Sequence, residues 1–187
     1  MTSLETYFKN SQPLDQYIEA MTENKENLLS IYNSFSTPEE DDGRLEKIKA
    51  SNYSKVLVIT EDWCGDAMMN IPILKHISEA LNLEARVFHR DENTDLIDQY
   101  LTNGTARSIP IFVFLNDDFE QQTVWGPRAR QVQHFVEETR SKLPAKDDPT
   151  FEDKSTESYA IISNRFKTDS QMWKYVYDSI LDKLIIN

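Results

Sequence analysis

Two short runs without a single polar residue, Val56-Leu57-Val58-Ile59 and Ile111-Phe112-Val113-Phe114-Leu115, constrain the fold of this 187-residue chain more than anything else in it. A strand that is apolar at every position rather than at alternate ones has to be covered on both faces, so both runs belong in a sheet packed between helices. The neighbouring segments supply those helices. From about Gly65 to Leu81, the residues Met68, Ile71, Leu74, Ile77 and Leu81 fall on one side of a helix that Pro72 should bend. Ala85 to Arg90 reads as a second strand, and Asn93 to Asn103 as a helix ending near Gly104. Asn116-Asp117-Asp118 supplies turn residues, after which Glu120 to Trp125 can return antiparallel along the sheet edge. Gly126-Pro127 then reads as the opening of a helix carrying Val132, Phe135, Val136 and Leu143, with Arg140 and Lys142 in its last turn. The order from Lys55 to Leu143 is β-α-β-α-β-β-α, an α/β core with a mixed sheet.

Helices are expected at both ends of this core. Leu4, Tyr7 and Phe8, then Leu14, Tyr17, Ile18 and Met21, then Leu28, Tyr32 and Phe35 recur at helical steps, with Pro13 separating the first helix from the second. Thr37-Pro38-Glu39-Glu40 has the form of a helix start, Thr37 as cap and Glu40 closing a capping box, and predicts a helix from about Pro38 to Ala50. Beyond the turn-rich Lys146-Asp147-Asp148-Pro149, the residues Tyr159, Ile162 and Phe166 have helical spacing, a short strand being the alternative. A last helix, capped by Asp169 or Thr168, presents a wide stripe of Trp173, Val176, Tyr177, Ile180, Leu181 and Leu184. That stripe must be buried against the core, the first helices or a second copy, and packing within the chain is preferred. The division is therefore 1–54 as an N-terminal helical extension, 55–143 as the core and 144–187 as a C-terminal extension, all in one domain.

Composition excludes several classes of partner. A formal net charge of -12 disfavours nucleic acid and anionic membrane, both polyanions. No apolar run approaches membrane-span length, and the opening Met1-Thr2-Ser3-Leu4-Glu5 has no apolar segment of the signal-peptide kind, so a cytoplasmic protein is expected. One cysteine forms no internal disulfide and should be reduced at rest. His76, His89 and His134 are scattered, with no ligand set at metal spacing, so neither a metal nor another cofactor is expected.

The sole cysteine, Cys64, lies in Glu61-Asp62-Trp63-Cys64-Gly65-Asp66-Ala67, where a strand hands over to a helix. Unpaired backbone N–H groups and the positive end of the helix dipole favour a thiolate there, whereas Glu61, Asp62 and Asp66 disfavour it. A modest lowering of the Cys64 pKa is the expected balance. A lone intracellular cysteine is more often a small buried hydrophobe, and acids at a helix start most often only complement its dipole.

With these residues in place, the segment from Lys55 to Leu143 resembles the thioredoxin family. That family carries a W-C-G-P-C motif, of which Trp63-Cys64-Gly65 reproduces the first three positions, and a proline eight residues after its nucleophilic cysteine, where Pro72 stands. Ser108-Ile109-Pro110, followed by the second all-apolar strand, resembles the family's cis-proline loop. The resemblance implies a three-layer fold with added helices at both ends, similar in plan to a thioredoxin-like group of bacterial proteins. It implies Cys64 as the catalytic residue, and Trp63, Gly65, Asp66, Ile109 and Pro110 as a groove for substrate. Ile109 would offer backbone groups to an extended peptide, Trp63 a flat apolar wall, and Gly65 room for a tight strand-to-helix approach. Arg107, near that loop, is a candidate for steadying an anionic group, a surface ion pair being the simpler reading.

Two departures from the pattern matter. Ala67 replaces the second cysteine, so no internal thiol can release a mixed disulfide, and Val58 stands where many thioredoxins hold a buried aspartate as proton relay. The C-G-F-S motif of monothiol glutaredoxins is not matched by Cys64-Gly65-Asp66-Ala67, which leaves glutathione or iron–sulfur binding unsupported. The preferred expectation is monothiol thiol–disulfide exchange, with a protein or low-molecular-weight disulfide or thiol as partner and an external resolving thiol. The alternative is a thioredoxin-fold binding or scaffold module without catalysis. A monomer or weak homodimer is expected, and an oxidative dimer through Cys64 is a third possibility.

Overall fold

The two all-apolar runs lie side by side. In the computed structural model, which describes residues 1–39 and 43–185, β2 (Lys55–Thr60) pairs antiparallel with β4 (Ile111–Leu115), Ile59 opposite Ile111 and Lys55 opposite Leu115. Every residue of Val56–Ile59 and of β4 is buried, as strands covered on both faces require. β3 (Glu84–His89) joins the other edge of β2 in parallel, and β5 (Gln121–Trp125) pairs antiparallel with β4. The sheet is completed by β1, only Gln12–Pro13, antiparallel on β3, for an order β1-β3-β2-β4-β5. Pro13 is thus both the break between two helices and an edge strand, a place where a missing N–H costs little. Arg86 holds this edge from β3, donating to the Ser11 carbonyl and hydroxyl.

Helices α1 (Leu4–Asn10), α2 (Leu14–Ala20) and α3 (Lys25–Ser34) form as the apolar periodicity predicts, burying Tyr7, Phe8, Leu14, Tyr17, Ile18, Leu28 and Ile31. The next helix does not. Thr37 and Pro38 are outside any helix, Glu40 lies outside the described residues, and α4 spans only Arg44–Lys49 after Gly43, whose φ is +71°. Its first residue, Arg44, reaches Asp178 and Asp182 on the last helix.

α5 (Gly65–Leu81) runs from the end of the loop after β2 and buries all five predicted core positions, with Pro72 inside it. The expected helix over Asn93–Asn103 is reduced to one 3-10 turn, Ile97–Gln99. Local polar side chains take the backbone instead: Asn93 Oδ1 accepts the Asp95 N–H at 2.9 Å, and Gln99 donates to the Asp95 carbonyl. The chain then makes a small bridge between Thr102 and Ala106, turning through Asn103 and Gly104 at positive φ.

Another correction concerns Gly126-Pro127-Arg128, which begins no helix. Gly126–Pro127 is a cis peptide, as is Ile109–Pro110, and α6 starts later, spanning Arg130–Arg140. Gly126 has φ +131°, and a Cβ there would collide with the Pro110 carbonyl, so the two proline loops are seated on one another through a residue without a side chain.

The C-terminal segment is α7 (Phe151–Thr168) followed by α8 (Ser170–Ile185), and the strand alternative around Tyr159 falls away. Asp169 Oδ1 accepts the Gln171 N–H at the turn between them. The stripe of α8 is buried within the chain, against α4, α5, α6 and β5. Trp125 Nε1 donates to Ser179 Oγ at 2.9 Å, and the Tyr53 hydroxyl donates to the Leu184 carbonyl at 2.9 Å. No described helix is long and apolar enough to cross a membrane.

Candidate functional site

Cys64 is the N-cap of α5, in extended backbone conformation at the mouth of the helix, as its place in the sequence predicts. Its sulfur lies between two backbone groups: it accepts the Ala67 N–H at 3.4 Å and donates to the Ile109 carbonyl at 3.5 Å. The cis-proline loop is therefore in direct contact with the thiol. In one respect the expectation fails. The residue is only 7% exposed, and burial pushes its pKa up to about 11 instead of lowering it. The Asp66 charge adds to the rise, while the Ala67 N–H and the Arg128 guanidinium oppose it without prevailing. Desolvation penalises the thiolate more than the helix terminus rewards it, and the S–H bond to Ile109 is available only to the neutral form.

The acidic neighbours do three different jobs. Asp66 is paired side by side with Arg128, its two oxygens taking Nε and Nη2 at 2.6 and 2.7 Å, with both side chains largely buried. Arg128 also donates to Gln133, and the backbone just before it is held by Asn70, whose amide donates to the Pro127 carbonyl at 2.9 Å. Asp62 turns away from the thiol: its carboxylate accepts the Thr22 and Glu23 N–H groups and the Thr22 hydroxyl, and its carbonyl accepts Asn24. Burial works against its ionisation, but these donors outweigh it and hold the carboxyl below the usual range. Glu61 accepts the Asp91 N–H at 2.8 Å and faces His89 Nδ1 at 3.1 Å.

Trp63 is 45% exposed and has the Arg90 guanidinium over its ring, 5.0 Å from the centroid. With Cys64, Asp66, Ile109, Arg107 and Arg128 it lines an open cleft of about 620 Å³. Arg107 is engaged side by side with Asp98, the simpler of its two sequence readings. Gly65 is not needed for close packing: a Cβ there would meet only the Tyr159 hydroxyl, at 4.0 Å. Pro110 is buried behind Ile109, its loop held by Gly126 rather than facing the opening. Among the described residues no three histidine, cysteine or carboxylate side chains gather as a metal site would require.

Residues 11–141 match the family model described as thioredoxin. The chain belongs to the thioredoxin family. The match includes the N-terminal edge strand and the whole sheet, and it stops before α7 and α8. No curated protein matches significantly. Among solved structures, a protein of unknown function from Pseudomonas aeruginosa aligns over 98% of both chains at 14% identity with a TM-score of 0.67. An HIV epitope-scaffold aligns over 95% of this chain and 99% of its own, again at 14% identity, with a TM-score of 0.60. Likenesses at that identity speak to the fold alone, including the helices that flank this thioredoxin core.

Among the residues lining the cleft, Arg128 is expected from the sequence only as part of a helix start after Gly126-Pro127, a reading that misses its pairing with Asp66. Its signal was an arginine just after Gly126-Pro127, downstream of the edge strand β5, together with an aspartate at Asp66 where the family motif has proline. Only the pairing of distant segments makes that signal readable.

Proposed function

We propose that this thioredoxin-family protein is a binding module whose cleft beside Cys64 receives an extended peptide, and that it does not run a dithiol cycle. The observation that carries this reading is the state of the sulfur, buried, hydrogen-bonded as a neutral thiol and pushed up to about 11. Ala67 offers no resolving thiol, and Val58 offers no buried base. What remains is recognition chemistry. The Ile109 N–H has no hydrogen-bond partner among the described residues, so it is available to pair with the main chain of a guest. Trp63 supplies the apolar wall.

Pull-down with the Cys64→Ser protein tests this directly. Partners retained without the thiol support binding, whereas partners trapped only through Cys64 favour exchange. Monothiol exchange is kept as a second reading because Cys64 caps α5 and opens on the cleft, with the Ala67 N–H directed at its sulfur. It predicts that the wild-type protein reduces a model disulfide or a glutathione mixed disulfide faster than Cys64→Ser does. Equal rates would remove it.

A further inference from the structure

The helix α7 lies beyond the matched family segment, yet it reaches the candidate site. Ser158, Ile162 and Phe166 are buried and hold one side of α7 on the protein. Tyr159, expected to join that apolar side, is instead 64% exposed. Its hydroxyl stands beside Gly65, 4.0 Å from where a Cβ would be, one residue after Cys64. Among the described residues it makes no hydrogen bond, ring contact or ion pair, so the fold does not use its polar end or its ring face.

Five large hydrophobic residues are exposed in the described structure, and two of them are aromatic: Trp63 and Tyr159. Trp63 directly precedes Cys64 and lines the cleft, and Tyr159 reaches the first turn of α5 at Gly65 from a helix far along the chain. Exposed aromatics are the side chains that most often anchor a partner, because a rigid apolar ring leaves water at little conformational cost. Gly65 carries no side chain, and a Cβ there would meet only the Tyr159 hydroxyl. The charges nearby do not set a preference. Arg90, Arg107 and Arg128 are each paired with a carboxylate, Asp91, Asp98 and Asp66, so the cleft is close to neutral on a chain of net charge -12.

Resting on the binding reading above, we infer that Tyr159 is a specificity-determining residue, selecting an extended peptide with a bulky apolar side chain seated over Gly65 against the tyrosine ring. In this arrangement the guest main chain pairs at Ile109 in the cleft, while one of its side chains extends past Cys64 to Tyr159, outside the residues that line the cleft. The C-terminal extension then sets what a thioredoxin-family groove accepts.

Selection from a phage-displayed random peptide library tests it, using the full chain in a Cys64→Ser background so that no guest is trapped covalently. The parent should enrich peptides with a bulky apolar residue at one fixed position. Tyr159→Ala should bind them about fivefold or more weakly and lose that preference, as truncation of an aromatic anchor does. Tyr159→Phe should retain both, because the ring and not the hydroxyl makes the contact. Thermal unfolding checks that each variant is folded. If Tyr159→Ala keeps the parental selection and affinity while Trp63→Ala loses them, the role given to Tyr159 is wrong and the binding reading stands. If the parent enriches no peptide, the binding reading fails, and the inference with it.

Discussion

Iodoacetamide should alkylate Cys64 slowly at neutral pH and progressively faster in alkali. Its pKa is raised from 9.0 to about 11, so at pH 7 the thiolate is about 100-fold scarcer than for an ordinary thiol. Only about one sulfur in 10⁴ is ionised there, and the rate should rise roughly tenfold per pH unit until it levels near pH 11. Limited access to a residue 7% exposed lowers the rate further. The assay is mass-spectrometric alkylation against pH, with the same protein in denaturant as reference, where the thiol regains its ordinary pKa. Asp66→Asn should move the profile to lower pH, since it removes a charge that raises the pKa and leaves Arg128 facing the sulfur. The same shift has a stability consequence. The folded state holds the thiol proton more tightly than the unfolded chain does, so this contribution is fully present below about pH 9 and is lost as pH rises towards 11, amounting to about 2–3 kcal/mol. Cys64→Ala should flatten that part of the stability curve. A profile that levels below pH 9, or a rate at pH 7 equal to that of the denatured chain, would refute the reasoning.

Three other expectations follow from single contacts. Arg128→Met leaves the largely buried Asp66 carboxylate without its partner and should cost about 2–4 kcal/mol in denaturant unfolding, whereas replacing both members with apolar residues should cost less; a loss under about 0.5 kcal/mol would show the pair to be idle. Gly126→Ala should destabilise the protein by about 3 kcal/mol or more, because φ is +131° and the new Cβ strikes the Pro110 carbonyl, while Gly65→Ala should be neutral or slightly stabilising in melting experiments. Asp62→Ala should cost about 1–2 kcal/mol at neutral pH by freeing the turn between α2 and α3, seen as faster hydrogen exchange at Thr22 and Glu23; since the Asp62 carboxyl is held below 3.8, the wild-type advantage should be present above about pH 4 and fade as acid protonates it.

The core was readable because its signals are local and periodic. Val56–Ile59 and Ile111–Leu115 announce doubly covered strands by having no polar position, and the apolar spacing of α5 and α8 identifies both helices without reference to anything distant. Where local signals competed, reading failed. Thr37-Pro38 has the chemistry of a helix start, but the helix begins at Arg44, which engages Asp178 and Asp182 on α8. Asn93 to Asn103 reads as a helix, but the Asn93 and Gln99 side chains bond the nearby backbone instead.

The sequence alone determined the α/β core, the position of Cys64 at a helix mouth and the loss of a second thiol, since each depends on neighbours within a few residues along the chain. The tertiary structure decided what that sulfur is chemically. Burial against Ile109 and the opposing charges of Asp66 and Arg128 meet at one point from segments 45 and 62 residues apart, and ionisation responds to distance in space and to the exclusion of water. The placement of Tyr159 beside Gly65 was decided in the same way, because helical spacing says which residues share a face but not which part of that face the rest of the fold will cover.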